Sequence, residues 1–124
     1  MEAYQTITAL AALAQEHRLQ AFRFLVQQGA TGAAAGTIAA HLDIPASSLS
    51  FHLAQLERAG LIVRVRQSRS LIYSADFAAM NALLGYLMEN CCAGQATGVT
   101  SQIPACGPAG EVQPNKTNNE RNAA

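Results

Sequence analysis

The feature that most constrains the fold of this chain is a change of hydrophobic period at Gly60. Before this glycine, leucines recur every three or four residues, which is the spacing of one face of a helix. After it, residues 62–66 alternate apolar and charged side chains with the period of a strand. Because glycine commonly ends a helix, the pattern predicts a helix followed directly by a β-strand. The leucines of the helix are Leu49, Leu53 and Leu56.

Helical periodicity also occupies most of the chain ahead of this point and resumes after the strands. Asp76 is a good N-cap for the last helix, and Asp43-Ile44-Pro45 is typical of a tight turn, since proline fits at or near a helix start. The predicted fold class is therefore mainly α with a β-hairpin, an α+β arrangement. We predict helices over about 4–14, 17–28, 36–42, 46–59 and 76–88, a connection of small residues over 30–35, strands over 62–66 and 71–73, and a turn over 67–70.

Composition divides the chain near residue 93. Residues 1–92 are predicted to form one folded domain, whereas residues 93–124 are rich in glycine, proline and asparagine and are predicted to be a mostly disordered tail. The 124 residues carry no formal net charge, which excludes a polybasic nucleic-acid coat. No apolar run reaches the roughly 18–20 residues of a membrane span, and the first eight residues lack the basic residue of a secretory signal. We therefore expect a cytoplasmic protein with no membrane partner.

The order of the predicted elements carries a functional signal. A short helix, a tight turn and a second helix with a serine-rich start form the arrangement of a helix-turn-helix. A hairpin directly after the second helix would make a wing. The alternative at this level is an arbitrary small α+β domain, because short helix pairs are common.

Residues 45–62 resemble the recognition helix of the ArsR/SmtB family of winged-helix repressors. The matching pattern is a small polar start, a serine, a His-Leu pair, a further leucine and an acid-base-small-Gly-Leu ending. The resemblance covers about residues 5–92 and implies a winged helix-turn-helix that dimerises through its first and last helices. It also rests on the second-helix segment Glu16-His17-Arg18-Leu19 and on the wing residues Arg66, Arg69 and Tyr73.

The surface opposite the leucine stripe carries the side chains expected to contact DNA. Serine hydroxyls can bond a phosphate or a base edge, and Gln55 could hydrogen-bond an adenine at two points. Four arginines against two acids give residues 41–73 a local charge of +2 in a neutral chain, which favours phosphate contacts. The predicted DNA-contacting residues are Ser47, Ser48, Ser50, Phe51, His52, Gln55, Arg58, Arg64, Arg66 and Arg69.

Several of these residues have a purely structural alternative. Ser47 can serve as an ordinary N-cap, and His52 lies between the two faces, where a hydrogen-bonded boundary histidine is the commoner case. Charged side chains such as Arg64 and Arg66 also protect an edge strand. The family usually has glycine where this chain has Ser68, so a different or looser wing turn is expected here.

Three cysteines are the candidate ligand-sensing residues. The family's arsenic site in the first helix of the helix-turn-helix is absent, because residues 36–42 hold no cysteine. Its zinc site in the last helix is also absent, because residues 76–89 hold no histidine. A vicinal pair followed by one more cysteine resembles an arsenical-responsive subgroup, which implies that trivalent arsenic, inorganic or methylated, or Sb(III) binds to thiolates, the ligands that suit soft ions. The implied ligands are Cys91, Cys92 and Cys106.

The spacing of the cysteines sets a structural condition. Adjacent side chains in a helix point about 100° apart, so a shared ligand requires the last helix to end at the pair, and Gly94 is placed to stop it. Two alternatives stay open: the thiols respond to oxidation or to Cd or Pb, and Cys106 is a bystander in the tail.

These features predict a homodimeric repressor of an arsenic-resistance operon that arsenic releases from DNA. The first and last helices carry more apolar surface than one contact would cover, and two recognition helices about 34 Å apart fit an imperfectly palindromic operator. A winged helix that binds only proteins is the alternative. Neither an enzyme nor a permanent cofactor is expected, because a catalytic thiol needs a base and the histidines, His17, His41 and His52, all fall in the predicted DNA-binding half.

Overall fold

Residues 1–94 are described by the structure, a computed structural model. The chain divides into two units, Met1–Leu87 and Met88–Ala124. The first unit is mainly helical with a small antiparallel sheet, which confirms the predicted fold class. Its elements are α1 (Ala3–Leu13), α2 (Glu16–Gln28), a 3₁₀ turn (Gly29–Thr31), β1 (Ala33–Ala34), α3 (Ala35–Leu42), α4 (Ala46–Arg58), β2 (Ile62–Gln67), β3 (Ser70–Ala75) and α5 (Phe77–Leu87).

The core forms around the leucine stripe of α4. Leu49, Leu53 and Leu56 are fully buried, as predicted, and they pack in one cluster with Leu25 of α2 and Ile38 of α3. Burial of each such side chain stabilises the fold by about 1.5–3 kcal/mol relative to exposure. The buried stripe fixes which side of α4 faces solvent.

The turn between α3 and α4 is as tight as predicted. Asp43 ends α3 in the left-handed conformation, with φ 57° and ψ 49°. The backbone N–H of Asp43 donates to the carbonyl of Ala40 at 3.3 Å, and that of Ile44 donates to Ala39 at 3.2 Å. Pro45 then stands at the N-cap of α4. The pair α3–α4 is therefore the predicted helix-turn-helix.

The sheet contains one strand more than the sequence predicts. β2 and β3 pair as an antiparallel hairpin, and β1 joins the other edge of β3, which gives the order β1-β3-β2. The sequence predicts a connection for the residues of β1, because two alanines show no alternation of apolar and polar side chains. Gly32 makes this pairing possible: it has φ 68°, and a β-carbon there would collide with the backbone carbonyl of Tyr73.

The wing turn differs from the predicted one. Gln67 pairs with Ser70, so only Ser68 and Arg69 connect the strands. Ser68 adopts φ 56°, which is the left-handed conformation that glycine takes more easily. The turn is therefore tight, and serine occupies the strained position in place of the family's usual glycine. The expectation of a looser turn was wrong.

The last helix begins as predicted and ends slightly earlier. Ala79 N–H donates to the Asp76 carboxylate at 3.0 Å, which confirms Asp76 as the N-cap. α5 ends at Leu87, well before Gly94, so Gly94 is not its stop signal. None of the helices in residues 1–94 is long and apolar enough to cross a membrane.

The described part of the second unit is short and irregular. A 3₁₀ segment, Cys91–Gly94, follows a turn in which Cys91 N–H donates to the carbonyl of Met88 at 3.0 Å. Asn90, Cys92 and Ala93 all have positive φ, near 57–59°. The cysteine pair thus lies outside regular α-helix, as a shared ligand requires. Cys106 and the predicted tail from residue 95 onward lie outside the described residues.

Candidate nucleic-acid interface

The solvent-facing side of α4 carries a continuous stripe of predicted DNA contacts. At about 100° per residue, Ser47, Phe51 and Arg58 lie opposite the buried leucines. All three are exposed, and the exposed fraction of Phe51 is 58%. Within residues 1–94 no other element covers the exposed first turn of this stripe, so this serine-bearing turn can enter a groove.

The remaining predicted residues of α4 divide between its two flanks. Ser48 and Gln55 lie on the flank toward α1, where Gln55 lines a surface cavity of about 360 Å³ with Ile7 and Thr8 of α1. Ser50 lies on the opposite flank, toward the hairpin, and is exposed. Gln55 is half-buried and far along the helix, so the adenine contact predicted for it stays a prediction.

The wing arginines are fixed by the strand register. Arg64 and Arg66 alternate with exposed valines on β2 and share the face of the buried Ile62. Arg64 Nε forms an ion pair with Glu57 Oε2 of α4 at 3.1 Å, with both side chains partly exposed. Because an arginine has five N–H donors, this contact orients Arg64 and leaves other donors available.

The other two wing arginines point to a different use. Arg66 and Arg69 are exposed, and neither forms a hydrogen bond or ion pair with any residue in 1–94. Arg69 is the second residue of the tight turn at the tip of the hairpin. Unpaired guanidinium groups at the end of a hairpin are well suited to phosphate oxygens. The structural alternative explains their exposure equally: charged side chains on an edge strand prevent it from pairing with another chain.

His52 is a boundary residue, as its position between the faces suggested. Its Nδ1 lies 3.5 Å from Nη1 of Arg18, and its ring centroid lies 5.6 Å from that of His17, both on α2. Burial, followed by the nearby charges of Arg18 and His17, lowers the pKa of His52 below 6.5. The imidazole is therefore mainly neutral near pH 7 and contacts α2, and a direct contact with DNA stays a prediction.

Arg18 is the residue of this region whose role the sequence analysis did not predict. Its Nε donates to the carbonyl of Ala12 near the end of α1 at 2.7 Å, while Nη1 faces His52 of α4. One guanidinium thus joins three helices. In the sequence, Arg18 is visible only as the arginine of the Arg-Leu pattern in the second helix. That pattern does not reveal which residues Arg18 contacts.

Two helices expose large apolar side chains away from the core. On α1, Tyr4 is 69% and Ile7 is 66% exposed, and Leu10 is also exposed. On α5, Tyr86 and Leu87 are exposed. The expected surplus of apolar surface on the first and last helices is present. Contiguous exposed apolar surface usually marks an interaction site.

The fold and the exposed α4 stripe define a winged helix-turn-helix DNA-binding domain. A family model described as "Helix-turn-helix domain" matches residues 13–66. Among solved structures, an ArsR-like transcriptional regulator from Rhodococcus sp. RHA1 has a TM-score of 0.63 and 25% identity, over 73% of this chain and 82% of that one. NolR from Sinorhizobium fredii has a TM-score of 0.56 and 30% identity, over 70% of this chain and 84% of NolR. The chain belongs to the ArsR-like family of transcriptional regulators.

A third solved structure is similar in fold. It is the homodimeric winged helix-turn-helix DNA-binding domain of a possible ArsR-family regulator from Mycobacterium bovis, with a TM-score of 0.55 and 24% identity, over 75% of this chain and 86% of that one. No curated protein matches the chain. The Rhodococcus and Mycobacterium proteins are both described as transcriptional regulators, the second as a possible one.

Proposed function

We propose that this regulator is a homodimeric repressor of an arsenic-resistance operon, released from its operator when trivalent arsenic binds C-terminal thiolates. The exposed stripe of α4 carries the DNA-binding part of the proposal. Ser47 at its start and Arg58 toward its end can bond phosphates, with base edges between them. Arg66 and Arg69 at the wing supply further phosphate contacts.

The exposed apolar faces of α1 and α5 support the dimer. Side chains such as Tyr4 and Ile7 on α1 and Tyr86 on α5 would be covered by a second copy. A two-fold dimer presents two recognition helices about one helical turn of DNA apart, near 34 Å. The operator is then an imperfect palindrome.

The position of the cysteine pair supports arsenic as the ligand. Cys91 and Cys92 follow the end of α5, and Cys92 has φ 57° and ψ 39°, so the pair does not lie in regular α-helix. Trivalent arsenic is a soft ion for which thiolates are the matched donors. Residues 1–94 contain no group of three metal-binding side chains. A third thiolate therefore requires Cys106, the one further cysteine of the sequence, from the same or the partner chain.

The test is fluorescence anisotropy on the duplex upstream of the protein's own gene, titrated with sodium arsenite under reducing conditions. Wild type is compared with a Cys91→Ser/Cys92→Ser double variant and with Cys106→Ser. We expect arsenite to release the wild type and to leave the double variant bound. Release of Cys106→Ser like wild type would show that the pair suffices.

Three results would each overturn a different part of the proposal. If arsenite does not release the protein from DNA but peroxide releases it reversibly, the thiols sense oxidation, which is the alternative function. If arsenite and Cd(II) release the protein from DNA equally well, the site is a general soft-ion sensor. If wild type binds no duplex at low salt, the operator-binding function itself fails.

A further inference from the structure

Phe51 is an anomaly on the surface of α4. Its side chain is 58% exposed on the stripe opposite the core, although a phenyl ring has no hydrogen-bonding group for water. The ring packs edge-on against the neighbouring His52 ring, at a centroid distance of 5.8 Å and an interplanar angle of 66°. This contact orients the phenyl group on a surface where every other predicted contact is polar.

Its position along α4 places it within reach of base edges. Phe51 is one turn after Ser47 on the same stripe, and Arg58 lies about 10 Å further along at 1.5 Å per residue. The first turns of a recognition helix are the part that enters the major groove. Ser47 and Arg58 can thus contact DNA phosphates on either side of the groove, while the ring of Phe51 faces the base edges at its floor.

We infer that Phe51 reads the C5-methyl group of a thymine in each half of the operator. This inference rests on the proposed function. The thymine methyl is the one apolar group on the major-groove edge of the four base pairs. A phenyl ring over guanine O6 and N7 would displace the water that hydrogen-bonds these two acceptors and would offer no donor in its place. Phe51 therefore favours thymine at one position and disfavours guanine there.

The test removes thymine methyls without changing hydrogen bonding. The duplex upstream of the gene is made by polymerase reaction with either dTTP or dUTP, so that uracil replaces every thymine between the primers. Anisotropy then gives the affinity of wild type, Phe51→Ala, Phe51→Leu and Arg58→Ala for both duplexes at one salt concentration. Arg58→Ala is the matched control, because it alters the same exposed stripe at a phosphate contact.

Burial of one methyl-sized group corresponds to about a fourfold change in affinity. We expect wild type to bind the thymine duplex about fourfold more tightly for each half-site read, or about 15-fold when both heads of a dimer contribute. Phe51→Leu should retain a preference for thymine, and Phe51→Ala should lose it. Arg58→Ala should weaken binding to both duplexes equally and keep the wild-type ratio.

The outcomes separate this inference from the proposed function. Equal affinity of wild type for the two duplexes would overturn the role of Phe51 and leave DNA binding intact. An undiminished ratio in Phe51→Ala would show that another side chain reads the methyl group. Absence of binding to either duplex would overturn both. Because Phe51 is exposed, thermal unfolding of Phe51→Ala should match that of wild type, and this comparison checks that the variant is folded.

Discussion

Replacement of Arg18 by methionine tests whether one guanidinium holds the recognition helix in place. Methionine keeps an unbranched apolar stem and removes the donors. The variant loses the 2.7 Å bond to the Ala12 carbonyl and the contact with His52. A hydrogen bond that involves a charged group contributes about 1.5–3 kcal/mol. Because Arg18 is half-buried, we take the lower part of this range.

We therefore expect Arg18→Met to lower the free energy of unfolding by about 2 kcal/mol. For a domain of this size, that corresponds to a fall in Tm of about 8–16 °C. Urea unfolding followed by circular dichroism measures the first quantity, and a thermal scan measures the second. Both are recorded at equal protein concentration, since dimerisation makes Tm depend on concentration.

Arg23→Met is the matched control for this experiment. Arg23 is exposed on the same helix and forms no hydrogen bond or ion pair within residues 1–94. Its substitution should change the unfolding free energy by less than about 0.5 kcal/mol. Equal destabilisation by the two variants would refute the role of the Arg18 contacts, because the loss of any positive charge from α2 would then explain the effect. In Arg18→Met, the pKa of His52 should also rise, since the Arg18 charge helps to lower it.

Three further predictions address the core, the boundary histidine and the wing. Leu53→Ala removes a fully buried side chain of α4 and should cost about 2–5 kcal/mol in urea unfolding; a loss below 1 kcal/mol would contradict the described core. His52 has a lowered pKa in the fold, so the unfolded chain takes up its proton first as pH falls through 6.5. Stability should therefore decline below that pH, and His52→Gln should flatten the decline in unfolding measured from pH 7.5 to 5.5. Arg66→Ala should reduce the salt dependence of operator binding by about 0.9 in the log–log slope per lost phosphate contact; an unchanged slope would assign Arg66 to edge protection.

The sequence predicts the helix-turn-helix well because its signals are local. The leucine stripe of α4, the left-handed Asp43 turn and the N-cap at Asp76 each depend on residues within a few positions of one another. For the same reason the hairpin strands were located to within two residues. Such elements are determined by periodicity and turn chemistry before any long-range packing is known.

The features that the sequence did not predict depend on tertiary contacts or on strain. β1 consists of two alanines that become a strand only because β3 offers a free edge. Ser68 accepts a left-handed conformation that pairing of the flanking strands imposes. Arg18 and His52 are 34 positions apart, and no periodicity links an arginine on α2 to an imidazole on α4. The family resemblance predicts which surface of α4 contacts DNA, but it does not show how α4 is held in the fold.

The contacts of α4 explain why its outer stripe can act as a reading surface. The leucines hold the inner side of the helix against α2 and α3, and the Arg18–His52 contact holds one flank. The Glu57–Arg64 ion pair holds the other flank against the wing. Three sides of the helix therefore contact other elements, and the fourth, with Phe51 at its middle, is exposed. An exposed ring on a firmly held helix loses little conformational entropy on binding, so the fold itself supplies the preorganisation that base recognition needs.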